Sequence, residues 1–240
     1  MTRTRFLATT VAALTLLAAT AASAQVFSIG PRISNFSTRV EGNPVETLRT
    51  GRQTAFGLVG DYRNGRFDLD FSYDRDDSNG AGITDIIIDA SDFQRNRGEL
   101  AVGYAITPVL DLQGGVRYEE LRFGGFGLFG NSVFSDMTMK HQALVGGIKV
   151  HSATNTPAGF YVIARGMVGT AQFDDTNNTP DRDTTGWRGE VGVPIAIGSS
   201  NWHIVPGAEY EHFDTQSFGA GQRIRLDSNR FFVNFVFSTR

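Results

Sequence analysis

Period-two alternation of apolar and polar residues recurs along almost the whole chain, and after the first two dozen residues no segment keeps an apolar stripe at helical spacing. The clearest case is Arg66-Phe67-Asp68-Leu69-Asp70-Phe71-Ser72-Tyr73-Asp74, where Phe, Leu, Phe and Tyr share one face and Asp, Asp, Ser and Asp share the other. A helix would scatter those carboxylates around its circumference. The same alternation marks residues 56–62, 100–106, 110–118, 187–197, 202–210 and 231–237, while 26–40, 137–151 and 159–173 read as strands of less regular register. The pattern predicts about ten strands, with eight as the alternative count.

The connections alternate in length. Short turns are predicted at Arg63-Asn64-Gly65, at Thr107-Pro108, and within 152–157 and 198–201; long loops at 41–53, 76–91, 121–136, 174–184 and 215–226. Asn64-Gly65 is the strongest hairpin signal, since a type I′ turn needs positive φ at both central residues. Short turns and both ends of the sheet therefore fall on one side, and long loops on the other. The predicted fold class is all-β, a closed antiparallel transmembrane β-barrel with short periplasmic turns and long extracellular loops.

Ahead of the first strand, Arg3 and Arg5 precede an apolar run from Phe6 to Ala19 and a small-x-small site at Ala22-Ser23-Ala24. Such a segment is expected to be a signal peptide over 1–24, leaving a barrel domain over 25–240 outside the cytoplasm. An exported chain with no cysteine closes its structure without disulfides, and 28 glycines with 19 phenylalanines suit tight turns and aromatic-rich strands. A formal net charge of −3 asks for no nucleic-acid partner.

Alternation alone does not say whether the apolar face meets lipid or a protein core, and a soluble periplasmic ligand-binding barrel would show the same period. Position along each strand separates the two. With the short turns at the periplasmic end, the apolar-face aromatics fall at two depths: Phe56, Tyr73, Tyr118, Trp187, Tyr210 and Phe231 near the outer end, and Tyr62, Phe67, Tyr104, Phe160, Trp202 and Phe237 near the inner. Two aromatic belts around an aliphatic band match the two bilayer interfaces. The other face mixes small residues with charges of both signs: Asp68, Asp70, Asp74, Glu99, Glu119, Glu190 and Glu209 against Arg97, Arg117, Lys149, Arg165, Arg188 and Arg230. Inside a narrow barrel those charges must pair, which predicts a networked interior rather than an open tube.

With its leader, the opening strand Phe27-Ser28-Ile29-Gly30-Pro31-Arg32, the turn entry Tyr104-Ala105-Ile106-Thr107-Pro108, the strand Gly114-Gly115-Val116-Arg117-Tyr118 and a Phe-rich last strand, the chain resembles the small outer-membrane β-barrels of Gram-negative bacteria, the opacity and OmpA-like porin group. That resemblance implies a monomer in the cell outer membrane, contacting lipid and lipopolysaccharide, with an extracellular ligand at its long loops and no cofactor. One departure is that Ser238-Thr239-Arg240 follows Phe237, where such chains typically finish on an aromatic residue. The expected function is non-enzymatic: an envelope-structural, adhesive or narrow-pore role.

The alternative is an enzyme acting at the rim. Omptin proteases set an Asp pair against an Asp-His pair; Asp74-Arg75-Asp76 and His212 are near the rim, but Tyr210 stands two before His212. A lipid A deacylase would need His and Ser two apart, whereas His151-Ser152 are adjacent. No metal set is predicted: the four histidines lack ligand spacing, and the acidic stretches at 74–77 and 174–183 lack a complete calcium loop. The Gly-spaced Phe123, Phe126, Leu128 and Phe129 form a candidate contact loop, exposed to partners or folded over the barrel mouth.

Overall fold

The computed structural model describes residues 25–42, 46–49, 53–79, 88–90, 92–123, 126–128, 131–134, 137–152, 159–174, 181–215 and 224–239. Ten long strands carry the fold: β1 (Gln25–Gly42), β2 (Gln53–Asn64), β3 (Phe67–Asn79), β4 (Asp92–Thr107), β5 (Leu110–Phe123), β6 (Met137–His151), β7 (Tyr161–Asp174), β8 (Arg182–Gly192), β9 (Trp202–Thr215) and β10 (Ile224–Ser238). Each pairs antiparallel with the next, and β10 pairs back onto β1, from Ser28↔Ser238 to Gly42↔Ile224. The sheet is thus closed and leaves no edge to protect. Beyond Phe237, Thr239 continues the seam: its amide donates to the Phe27 carbonyl at 2.8 Å, and its hydroxyl accepts from the Phe27 amide at 2.9 Å.

Three local departures from the sequence pattern have simple causes. The first tight turn is Gly65-Arg66 rather than Asn64-Gly65, because Asn64 still pairs with Phe67; Gly65 takes the positive φ of 60° that a two-residue hairpin loop demands. The run from Trp187 to Ile197 is not one strand. It breaks at Val193-Pro194, where proline offers no N–H to the ladder, and resumes only as Ile195–Ala196 against Ile204 and His203. The long connections also contain structure. Glu46–Arg49 folds back on β1, and Ile88–Ala90, Phe126–Leu128 and Asn131–Phe134 form a separate three-stranded sheet joining two connections.

Along the lower and middle parts of the strands the apolar residues face out: Leu112, Val116 and Tyr118 on β5 are exposed while Asp111, Gln113 and Arg117 are buried. Toward the extracellular ends the sense reverses. On β5, Glu120 and Arg122 lie on the outward face and Leu121 is buried inside; on β9, His212 faces out and Phe213 is buried; on β6, Lys140 faces out and Met139 is buried. Phe36 on β1, Ala171 on β7 and Leu226 on β10 follow the same rule. A wall whose outer face turns from apolar to polar at one level is passing from one solvent into another.

Candidate functional site

The interior is an ion-pair network running from the periplasmic mouth to that level. At the mouth, Arg63 reaches Asp111 at 2.8 Å and Asp68 at 3.6 Å, and His151 Nε2 stands 3.2 Å from Asp111. Lys149 Nζ is next, at 3.0, 2.9 and 2.7 Å from Asp61, Asp68 and Asp70. Arg165 joins Asp70 to Glu99, and Arg188 reaches Glu99 at 2.9 Å and Glu190 at 3.4 Å. Deeper in, Arg97 binds Asp74 at 2.8 Å, Glu209 at 2.5 Å and Glu211 at 3.1 Å, while Arg230 meets Asp74 at 2.7 Å. Arg95 and Arg117 share Glu119 and Glu211. Burying such charges unpaired would cost several kcal/mol each, so strands that carry them inward must bring opposite signs to the same height.

All of the interior charges named from the sequence point into this network: Asp68, Asp70, Asp74, Arg97, Glu99, Arg117, Glu119, Lys149, Arg165, Arg188, Glu190, Glu209 and Arg230. Arg32, Arg63, Arg95, Glu211 and His141 belong to it as well. Glu211 was within reach of the pattern, two residues from Glu209 on the same face. His141 was not: it stacks on Phe213 at 4.9 Å and bonds Thr184 at 2.9 Å, a contact between β6 and β8 that no local spacing reveals.

Among the described residues, Asp61, Asp68 and Asp70 could hold a metal, their ligand oxygens lying within 4.8 Å of one another. Lys149 places its ammonium where such an ion would sit. A cavity of about 300 Å³ lies beside it in the periplasmic half, lined by Arg32, Lys149, Tyr161, Arg165, Arg188 and Glu190 among others. On the extracellular side the network is capped by the apolar set Phe36, Leu121, Met139, Ala171, Phe213 and Leu226, each no more than 1% exposed.

The rim does not assemble either enzyme layout considered from the sequence. Asp74 and Asp76 point into the barrel, whereas His212 is on the outward face, so the wall separates them. His151 is occupied at the periplasmic mouth. Of the candidate contact loop, Phe126–Leu128 is strand and Phe129 lies outside the described residues, as do the side chains of Phe123, Phe126 and Leu128.

The outward aromatics settle what surrounds the wall. Phe56, Tyr73, Tyr118, Trp187 and Phe231 are exposed at the level where the outer face turns polar, with Tyr210 packed 4.9 Å from Trp187. Phe67, Tyr104, Phe160, Trp202 and Phe237 are exposed at the periplasmic end, and Tyr62 is half-buried there. Two rings of aromatics bounding an exposed aliphatic band, over a charged interior, fit a bilayer and no aqueous surface. The chain is a membrane-spanning β-barrel. No protein-family model and no curated protein matches its sequence. Solved structures with a similar chain path include the attachment invasion locus protein Ail of Yersinia pestis, at 15% identity over 88% of this chain and 98% of that one, with a TM-score of 0.35. The outer membrane protease OmpT of Escherichia coli is 9% identical over 90% and 96%, with a TM-score of 0.49. OprG of Pseudomonas aeruginosa is 11% identical over 90% and 97%, with a TM-score of 0.35.

Proposed function

We propose that this barrel is a closed, non-enzymatic envelope protein whose work is done on its outward surfaces, in contact with outer-leaflet lipid and at its extracellular connections, and not by passage of solutes. The observation that carries the reading is the occupied interior: a continuous ion-pair network capped by buried apolar residues. A solute crossing it would have to part several buried pairs, and leaving one partner uncompensated costs about 3–5 kcal/mol each time. The test is conductance of the folded protein in planar bilayers. The expected result is no stepwise current in wild type; steady, well-resolved channels would defeat the proposal.

One observation favours a second reading, a rim enzyme acting on lipid. His212 Nδ1 lies 2.7 Å from Asp227 Oδ1, an orientation that suits a general base, on the outward face beside the outer belt. No hydroxyl is held on the other imidazole nitrogen among the described residues, so the acyl-transfer set is incomplete. Incubation of the folded barrel with lipopolysaccharide and phospholipid, followed by mass spectrometry for released acyl chains, discriminates the two; release lost in His212→Ala would favour the enzyme.

A further inference from the structure

The outward face of β8, β9 and β10 at the extracellular collar differs from that of β5. On β5 the collar carboxylate, Glu120, is satisfied locally by the Tyr118 hydroxyl at 3.1 Å and Arg122 Nε at 2.8 Å. On β9 and β10, Asp227 Oδ1 instead accepts both the Tyr210 hydroxyl at 2.8 Å and His212 Nδ1 at 2.7 Å. The proton on Nδ1 fixes the ring, and Nε2 makes no hydrogen bond among the described residues. Trp187 is directly opposite His212 in register; its indole is half exposed, with the Tyr210 ring at 4.9 Å and the imidazole at 6.5 Å. Asn229, exposed and paired with Tyr210 across the ladder, completes the patch.

We propose that this patch docks the saccharide of an outer-leaflet glycolipid. The inference rests on the outer-membrane reading above and assigns one sector of the wall to it. A ring face of C–H groups stacks on an exposed indole, and hydroxyls both donate and accept, which suits an imidazole nitrogen and an amide set at its edge. Charge decides between sugar and phosphate. Arg39 and Arg225 are offset by Asp214 and Asp227 on the same face, with Arg225 3.8 Å from Asp214, so among the described residues no net positive charge on this face calls for an anion. Height decides between a membrane source and a free sugar: the patch begins at the outer aromatic belt, at headgroup level, where a glycolipid presents its saccharide.

The chain has two tryptophans, and Trp202 is at the opposite belt, so Trp202→Phe leaves Trp187 as the reporter. The folded single-tryptophan protein is placed in phospholipid nanodiscs with and without lipopolysaccharide. A saturable change in Trp187 emission is expected with lipopolysaccharide, weakened about tenfold in midpoint by His212→Ala and by Asn229→Ala, which corresponds to about 1.4 kcal/mol. Heat-modifiable gel migration shows that each variant remains folded. The same emission change with phospholipid alone, or an unaltered midpoint in both variants, overturns the proposal. An equal response to lipid-free oligosaccharide overturns the glycolipid source. Barrels that fail to fold in any lipid would instead overturn the membrane reading beneath it.

Discussion

Lys149 does inside this barrel what a metal ion does elsewhere: one cation gathers Asp61, Asp68 and Asp70, each within 3.0 Å of its nitrogen. Lys149→Met keeps the stem but removes the charge, leaving carboxylates to repel one another at short range. The expected cost is about 3–5 kcal/mol, as for other buried pairs broken from one side. Calcium or manganese should recover part of it, because the oxygens already converge. Urea unfolding in lipid vesicles checks this: the variant's midpoint should rise with added ion while that of wild type stays put, and an ion-independent variant would show that the oxygens do not act as a ligand set. A second residue-scale expectation concerns Asp227. Burial pushes its carboxyl up, but the bonds from His212 and Tyr210 outweigh this and hold it below the ordinary carboxylate value. A depressed carboxyl lends stability that is present above the unfolded-state pKa and lost as pH falls through the folded one. Trp187 emission in the Trp202→Phe background should therefore show an acid step below about pH 3.9, absent in Asp227→Asn.

At the scale of the strand, the two faces of one element carry opposite demands, and adjacent glycines on β6 show how different these are. Gly146 faces outward, and an added Cβ would come no nearer than 3.9 Å to any neighbour. Gly147 faces inward, where an added Cβ would come within 2.7 Å of the Arg165 Cα on β7. Gly146→Ala should be neutral or stabilise by about 0.5–1 kcal/mol, through lost chain entropy in the unfolded state. Gly147→Ala should destabilise by about 1–3 kcal/mol, since backbone must move. Equal midpoints for the two variants would contradict this assignment of faces. The faces themselves were legible in the sequence, because alternation along Phe67–Asp74 or Leu110–Tyr118 admits one assignment once the belts are noticed. The capping layer was not. An alternation rule that sends every Phe and Leu outward misplaces Phe36, Leu121, Phe213 and Leu226, for the rule reverses where the wall leaves the lipid, just beyond the outer aromatic belt. Arg32 escaped for a related reason: it lies in 26–40, whose register the pattern does not fix, and its partner Glu190 is on distant β8.

For the whole molecule, the decisive quantity is which solvent touches the outer wall between the belts, and Leu144 tests it directly. Its side chain is 64% exposed, flanked across the ladder by Val116 on β5 and Val168 on β7, with no polar neighbour on that face at its register. Surrounded by water, an arginine there would be tolerated like most surface substitutions, within about 0.5 kcal/mol. Surrounded by hydrocarbon it must be dehydrated or drag its guanidinium toward an interface, at about 2–4 kcal/mol near the midplane and nearly nothing close to the belts. Leu144→Arg should therefore lower the urea midpoint markedly in vesicles, whereas the same change at Gln142, level in register with Tyr118, should be mild. The gradient carries more weight than either value. A packing defect would not depend on depth, because both positions face away from the interior, and so a pair of equal, small effects would mean that the aliphatic band faces water and that the belts have no bilayer to mark.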